Sequence, residues 1–178
     1  MKIFSSCFAV SAVCLLAFSP SLLAQEKPVT KAIAVLQPTK GNSVQGAVTF
    51  TKVADGVRVE ANVTGLTPGK HGFHVHQFGD LSSADGSAAG GHFNPAGHQH
   101  AGPDAENRHA GDMGNIEADA SGAGKLAYTD KQLQLDGANS ILGRGVVVHA
   151  KEDDLKSQPS GEAGPRVAVG VIGAVKGE

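Results

Sequence analysis

Short stretches in which apolar and polar residues alternate recur along most of this chain. The alternation has a period of two, which places successive side chains on opposite faces of an extended strand. It runs through residues 29–36, 44–50, 57–63 and 72–76, and residues 112–118, 124–129, 145–150 and 166–175 complete eight candidate strands. No long segment repeats its apolar residues with the period of an amphipathic helix. The pattern therefore predicts eight short β-strands.

The connections between the first strands carry glycine and proline in turn-forming pairs. Gly41-Asn42, Asp55-Gly56 and Pro68-Gly69 each lie between two predicted strands, and these residue types favour turns because of their special backbone conformations. Eight short strands joined by glycine-rich turns are typical of an antiparallel sandwich or barrel. The predicted fold class is therefore all-β.

Two connections are much longer than the others. Residues 77–108 are rich in Gly, Ala, His and Pro and have no clear period, and residues 151–165 form a shorter polar segment. Loops of more than about a dozen residues in a compact domain are usually functional or disordered. Because the first loop contains histidines, we interpret it as functional.

The first residues of the chain have the pattern of a secretory signal peptide. Lys2 is followed by the uncharged stretch 3–24, whose apolar centre is residues 8–18, and the predicted cut falls after Ala24. The apolar run is short for a transmembrane helix, so a retained anchor is the less favoured alternative. We expect one domain, residues 25–178, exported to the periplasm or the extracellular space.

The positions of the cysteines and the net charge limit the possible disulfides and partners of the chain. Cys7 and Cys14 both lie in the leader, so the exported chain cannot form an internal disulfide even where its compartment would permit one. Without Lys2, the exported chain has 14 basic and 17 acidic residues, a net charge near −3. No basic stripe with interleaved aromatics is present, which argues against nucleic acid as a partner. No other segment is apolar enough to span a membrane.

Histidine carries most of the candidate chemistry. His74 and His76 are two apart in a predicted strand and therefore point to one face. Six of the eight histidines, together with one aspartate, form the candidate ligand set: His74, His76, His92, His100, His109, Asp112 and His149. Three histidines and a carboxylate make a plausible tetrahedral zinc site, and three or four imidazoles suit Cu(II).

Five motifs, in order, resemble those of the copper/zinc superoxide dismutases. They are GFHVHQFGD at 72–80, GHFNP at 91–95, RHAGDMGN at 108–115, GRGVVVH at 143–149 and GPRVAVGVIG at 164–173. The resemblance extends over residues 32–175 and narrows the expected fold to an eight-stranded antiparallel Greek-key β-barrel, or flattened sandwich, with two long functional loops.

The resemblance also implies roles for individual residues. Copper would be bound by His74, His76, His92 and His149, and zinc by His92, His100, His109 and Asp112. His92 would bridge the two metals as an imidazolate. Arg166 would dock the substrate anion beside the copper, and Asp153 would link His74 to His100. The implied reaction converts superoxide to dioxygen and hydrogen peroxide, and the implied assembly is a homodimer through the face near residues 78–80 and the C-terminal strand.

Some of these assignments have alternatives. His98 has no counterpart in the family and is expected to face solvent, although its position two residues from His100 would allow it to compete for zinc. Arg166 is also compatible with a simple surface charge, and Asp154 is as well placed as Asp153 to be the linking carboxylate. His71 is expected to be a structural histidine that bonds to the backbone.

The sequence departs from the family pattern at two places. The family's disulfide ties the long loop to the last strand, but the matching positions here are Gly86 and Val169. A lysine that often helps to attract superoxide is missing from the shortened second loop, where Pro159 falls near its place.

Other functions remain alternatives to the dismutase. A copper- or zinc-buffering protein without turnover would need the ligands but not Arg166. A structural domain with decayed chemistry is disfavoured by the complete ligand set, and a zinc hydrolase is disfavoured because four protein ligands leave no open position.

Overall fold

A computed structural model describes residues 27–176 of the chain. The predicted signal peptide and both cysteines lie outside the described residues. The eight strands are β1 Lys31–Pro38, β2 Gln45–Val53, β3 Gly56–Thr64, β4 Gly69–His76, β5 Asp112–Ala118, β6 Gly124–Asp130, β7 Gly145–His149 and β8 Arg166–Ala174. The all-β prediction and all eight predicted strands are confirmed, with ends that shift by up to three residues.

The strands close into one antiparallel barrel in the order β1-β2-β3-β6-β5-β4-β7-β8. β6 returns to lie beside β3, and β7 returns to lie beside β4, so two Greek keys overlap in the sheet. The Greek-key barrel expected from the resemblance is therefore confirmed. Because β4 lies between β5 and β7, the three strands that carry His74, His76, Asp112 and His149 are neighbours in the sheet.

The barrel interior is filled by the apolar residues that alternate along the strands. Phe50, Phe73 and Ile116 are fully buried there. The stretch 131–144, to which the sequence pattern assigned no strand, is largely irregular, and its Leu133 and Ile141 are buried in the same core. Burial of such side chains stabilises a fold by roughly 1.5–3 kcal/mol each.

β7 is buried on both faces, which explains its uninterrupted valine run. Val146 and Val148 point into the main core, whereas Val147 packs on the other face with Ala89 and Val169. Ala89 belongs to the short 3₁₀ helix Ser87–Ala89 of the long loop. At the position where the family has a cysteine, Val169 thus joins a small apolar cluster that holds the loop against β7 and β8.

The far end of the long loop is held by a buried ion pair. Arg108 is 2% exposed, and its Nη2 donates to Asp130 Oδ2 at 2.8 Å. Its Nη1 donates to the carbonyls of His109 and Ala110 at 2.9 and 3.0 Å. A buried arginine needs this many acceptors because an unpaired buried charge is strongly destabilising. Arg108 therefore fixes the backbone on either side of a candidate ligand.

Within residues 27–176, none of the helical structure reaches the length and apolar character that crossing a membrane as a helix requires.

Candidate metal centre

Four histidines from three parts of the fold converge beside the barrel. His74 and His76 come from β4, His149 ends β7, and His92 in the long loop forms a bridge pair with His76. All four are buried, and one ring nitrogen of each lies within 4.8 Å of those of the others. The strand pattern places His74 and His76 together, and the β4–β7 pairing brings His149 beside them. We call these four residues the first set.

The ring nitrogens that face away from the first set are occupied by hydrogen bonds. His76 Nδ1 donates to the carbonyl of Gly90 at 2.9 Å, and His149 Nδ1 donates to that of Gly164 at 2.9 Å. The Nε2 atoms of His76 and His149 face each other at 3.4 Å. Because the backbone carbonyls fix the tautomers, each Nε2 presents a lone pair to the centre of the set.

A second set of four lies next to the first. Asp112 Oδ1, at the start of β5, is 2.7 Å from His92 Nδ1, 3.0 Å from His100 Nδ1 and 3.2 Å from His109 Nδ1. His92, His100, His109 and Asp112 are all buried, with one donor atom of each within 4.8 Å of the others. Three imidazoles and one carboxylate are the donors that closed zinc sites use.

His92 belongs to both sets through different nitrogens. Its Nδ1 faces Asp112, and its Nε2 is buried without a partner. His74 Nδ1 is also buried without a hydrogen bond among the described residues. A buried polar atom without a partner is costly, and both of these atoms belong to members of the first set. The donor arrangement therefore fits two adjoining metal ions that share the His92 ring.

Asp153 joins the two sets from outside. Its Oδ2 accepts from His74 Nε2 at 2.8 Å and its Oδ1 accepts from His100 Nε2 at 2.9 Å. Asn115 holds the Asp153 backbone on both sides, donating to its carbonyl at 2.9 Å and accepting from its amide at 2.8 Å. Asp154 instead accepts from the amides of Lys156 and Ser157. Of the two adjacent aspartates, Asp153 is the one that makes the link.

Burial prepares most of the histidines to bind metal at neutral pH. It lowers the pKa of His74 to about 3 and that of His149 to about 4, and it lowers the pKa of His76 well below its ordinary value. The pKa of His109 is also lowered, chiefly by burial. Since the neutral imidazole is the metal-binding form, these residues need no deprotonation at pH 7.

His100 is the exception in the second set. Burial alone would lower the pKa of His100, but hydrogen bonds and charge from Asp112 and Asp153 raise it to about 9. For the carboxylates the directions are reversed. Burial would raise the pKa of Asp112 and of Asp153, but hydrogen bonds from the histidines hold both pKa values below their ordinary range. Without metal, His100 is therefore an imidazolium between two carboxylates.

Zinc binding to the metal-free protein at pH 7 is expected to release about one proton, from His100 Nδ1. The release should fall towards zero as the pH rises through about 9, where His100 loses that proton without metal. Calorimetric titrations in buffers with different ionisation enthalpies measure the number of protons. The variant His100→Gln should not show this release, and an absence of proton release at pH 7 in the unaltered protein would contradict the assignment.

Gly161 leaves the space that the Asp153 link requires. A Cβ at this position would lie 1.8 Å from Asp153 Oδ1 and 2.7 Å from His100 Nε2, and the glycine has φ +67°. Gly161→Ala is therefore expected to break the link and to weaken zinc binding roughly 10-fold, the lower end of the effects seen when groups that orient ligands are lost. Chelator competition measures the affinity.

Gly41→Ala is the matched control for Gly161→Ala. Gly41 has φ +82° and nothing within 4 Å of the added Cβ, so it imposes similar backbone strain without touching the site. Equal zinc affinities in Gly161→Ala and Gly41→Ala would mean that Asp153 does not orient His100.

The remaining sequence-predicted residues take the following places. Arg166, at the start of β8, donates from both Nη atoms to the carbonyls of Gly86 and Gly90 in the long loop. It lines a cleft of about 620 Å³ together with His76, His92 and His149. Arg166 is therefore partly buried against the long loop rather than free on the surface. Burial lowers the pKa of Arg166, but a guanidinium stays charged in proteins.

The two histidines outside the sets are structural in this fold. His71 bonds through Nδ1 to the carbonyl of His149 and through Nε2 to that of Thr67, each at 2.8 Å, as expected. His98 was expected to face solvent, but it is only partly exposed, and its Nδ1 lies 3.2 Å from the carbonyl of Arg108. Its backbone is tied to Asn94, which turns the chain there. His98 does not belong to either ligand set.

Sequence reasoning missed several residues that support the site. Arg108, Asn115 and Gly161 act through backbone carbonyls, backbone amides and free space, which no local spacing encodes. Arg108 and Asn115 are the first and last residues of the motif at 108–115, and this was the one available signal for them.

Comparisons with known proteins agree with this geometry. Residues 44–172 match the copper/zinc superoxide dismutase family (SODC). The chain belongs to this family. Among solved structures it is similar to one described as "Crystal Structure Analysis of the clock protein EA4", with 44% sequence identity and a TM-score of 0.78 over 84% of this chain and 97% of that one.

Proposed function

We propose that this protein is a copper/zinc superoxide dismutase. The observation that carries the proposal is the pair of four-residue sets that share His92 and adjoin a cleft containing the Arg166 guanidinium. The first set, with four imidazoles, would hold copper. The second set, with three imidazoles and Asp112, would hold zinc. Two superoxide ions and two protons would be converted to dioxygen and hydrogen peroxide.

Copper, when bound, supplies one-electron transfer between Cu(II) and Cu(I), and the protein orients and tunes it. The chain contributes the ligand geometry through carbonyls that fix the tautomers of His76 and His149. His92 lines the cleft, and its Nε2, which is buried without a hydrogen bond among the described residues, would be the ring nitrogen that holds a proton for the product when copper does not occupy it. Asp112 keeps the other side of the His92 ring in place.

Attraction of the substrate anion depends on local charge, because the chain as a whole is net negative. Arg166 is the basic residue among those that line the cleft. Pro159 and Ser160 also line it, and Pro159 falls near the place where the family often has a lysine. A positive charge in a low-dielectric cleft focuses the field and raises the association rate, so Arg166 would carry most of the steering here.

A second candidate function is metal binding without turnover. It is supported by the similarity to a structure described as that of a clock protein. In that case the two sets would bind metal with the same residues, and Arg166 would serve only to hold the long loop through Gly86 and Gly90.

Pulse radiolysis of the protein, with copper and zinc content measured on the same sample, separates the two functions. A dismutase should show fast superoxide decay that scales with copper occupancy and is abolished by cyanide. Full copper loading with decay no faster than that of free buffer would refute the dismutase and support the binding protein.

The proposal includes export of the chain. The charged start, apolar centre and Ala24 of residues 1–24 support cleavage of a signal peptide and a periplasmic or extracellular location. Amino-terminal sequencing of the protein from its natural host tests this. A start near Gln25 is expected, and an intact Met1 would contradict it.

We also propose that the protein forms a homodimer. Val35 on β1 and Phe78 in the long loop are 61% and 57% exposed, and Val171 on β8 is 37% exposed. Val171 lies against Gly79, so the loop and the last strand form one apolar surface. Sedimentation should give a dimer that Val35→Arg dissociates, whereas a monomer at all concentrations would contradict the proposal.

A further inference from the structure

Arg144 is not a member of either set. It contacts the residues that directly follow His76 and His92, two members of the first set. Its Nη1 donates to the carbonyl of Gln77 at 2.9 Å, and its guanidinium carbon lies 3.6 Å from the centre of the Phe93 ring. Gln77 follows His76 and Phe93 follows His92. Arg144 thus contacts both segments at the first residue beyond a candidate ligand.

The two segments come from different parts of the fold. His76 ends β4, a strand fixed on both sides by β5 and β7, whereas His92 is carried by the long irregular loop. They meet at a two-residue bridge between His76 and His92, in which the amide of Gln77 donates to the carbonyl of Gly91 at 2.9 Å and the amide of Phe93 donates to the carbonyl of Val75 at 2.8 Å. The position of His92 therefore depends on what holds the loop to the end of β4.

Arg144 is itself held rigidly. Its Nε donates to the carbonyl of Ser140 at 2.8 Å, and its own carbonyl accepts from Ile172 of β8 at 2.9 Å. Gly145, the next residue, pairs with His76 in the β4–β7 ladder. A planar guanidinium suits this position because it can stack on a ring while donating within its plane.

We propose that Arg144 is a positioning residue that sets the orientation of the His92 ring relative to His76. It does not line the cleft, so it does not meet the substrate. The stacked Phe93 is buried, and its backbone is bonded to Val75 and Gly111 on either side. A shift of Phe93 would therefore turn the His92 ring that both sets share. The inference rests on the proposed function only in taking His92 as a metal ligand.

The test uses the full exported protein loaded with copper and zinc, in the variants Arg144→Gln and Arg144→Lys. Copper affinity by chelator competition and the electron paramagnetic resonance spectrum of Cu(II) are the readouts. Arg144→Gln is expected to weaken copper binding about 10-fold and to shift the spectrum. Arg144→Lys keeps the charge over Phe93 but loses the planar fork, so an intermediate affinity and spectrum are expected.

Phe93→Leu tests the stacking from the other side. It keeps an apolar side chain in a buried position but removes the ring. If Arg144 acts through Phe93, Arg144→Gln combined with Phe93→Leu should weaken copper binding by less than the product of the single effects. If the loss of copper affinity in the double variant equals the product of the two single losses, Arg144 does not act through Phe93.

Arg58→Gln is the matched control. Arg58 lies on β3, which is opposite β7 in the order of the closed barrel. It should leave copper affinity and spectrum unchanged. A spectrum and affinity in Arg144→Gln that equal those of the unaltered protein, with only a lower Tm, would overturn the proposal in favour of a purely structural role. Should Arg144→Gln fail to fold, the copper affinity and spectrum of Arg144→Lys are compared with those of Arg58→Gln. A difference supports the proposal, and equal values overturn it.

These readouts are independent of turnover. A protein that binds copper as described but does not dismutate superoxide would refute the proposed function and leave the role of Arg144 intact. Dimer content is measured in each variant because Arg144 also borders the recess formed by Phe78 and Leu142. Spectral changes that follow the loss of dimer, rather than the substitution, would overturn the inference.

Discussion

Arg166→Ala is expected to lower the second-order rate constant for superoxide decay roughly 100-fold and to weaken its dependence on ionic strength. Arg166 is the basic residue lining the cleft that contains His76, His92 and His149. A fixed charge at the mouth of a cleft concentrates an anionic substrate, and dissolved salt screens that attraction. Pulse radiolysis over a range of salt concentrations measures both effects.

Arg166 has a second role that must be separated from the first. Its guanidinium also holds the long loop through the carbonyls of Gly86 and Gly90. Arg166→Lys retains the charge but cannot form the same planar fork, so it should keep the salt dependence while losing part of the rate. Arg58→Ala, on β3, should change neither. An unchanged rate in Arg166→Ala would remove Arg166 from the site.

Removal of both metals is expected to lower the Tm by roughly 10 °C or more. A metal present at about 1,000 times its Kd stabilises the folded state by about 4 kcal/mol, and each kcal/mol changes the Tm of a protein of this size by about 2–4 °C. Without metal, His74 Nδ1 and His92 Nε2 are buried without hydrogen-bond partners among the described residues. Calorimetry before and after chelation measures the difference.

The loss of order should be greatest in the middle of the long loop. Between residues 94 and 107, His100 is the one buried residue, whereas Ala89 and Arg108 anchor the two flanks. Hydrogen exchange in residues 94–107 should therefore increase most without metal and return when zinc is restored. Equal protection with and without metal would refute the expectation that metal holds the middle of this loop.

The missing disulfide illustrates what an isolated substitution does and does not reveal. The sequence shows that the disulfide is absent, because Gly86 and Val169 occupy the positions of the two cysteines. The replacement is visible only in three dimensions, because Val169 packs with Ala89 and Val147, and Arg166 bonds to the Gly86 carbonyl. A disulfide typically contributes about 2–4 kcal/mol, and these contacts act on the same two segments.

The choice between Asp153 and Asp154 is a second example. Both are carboxylates, three and four residues after Ala150, and their spacings to the histidines along the chain differ by a single residue. Asn115 decides between them. Its side chain forms two hydrogen bonds with the Asp153 backbone, which places the Asp153 carboxylate between His74 and His100. Such a contact joins residues distant in sequence and leaves no local pattern.

The sequence alone determined the eight strands, the turns and the pairing of His74 with His76 on one face, because strand periodicity and turn chemistry are local properties. Tertiary structure decided how β4, β5 and β7 become neighbours and bring seven candidate ligands into two sets around His92. It also decided the supporting roles of Arg108, Gly161 and Arg144. These depend on backbone carbonyls, free volume and ring contacts between distant segments, which exist only once the barrel has closed.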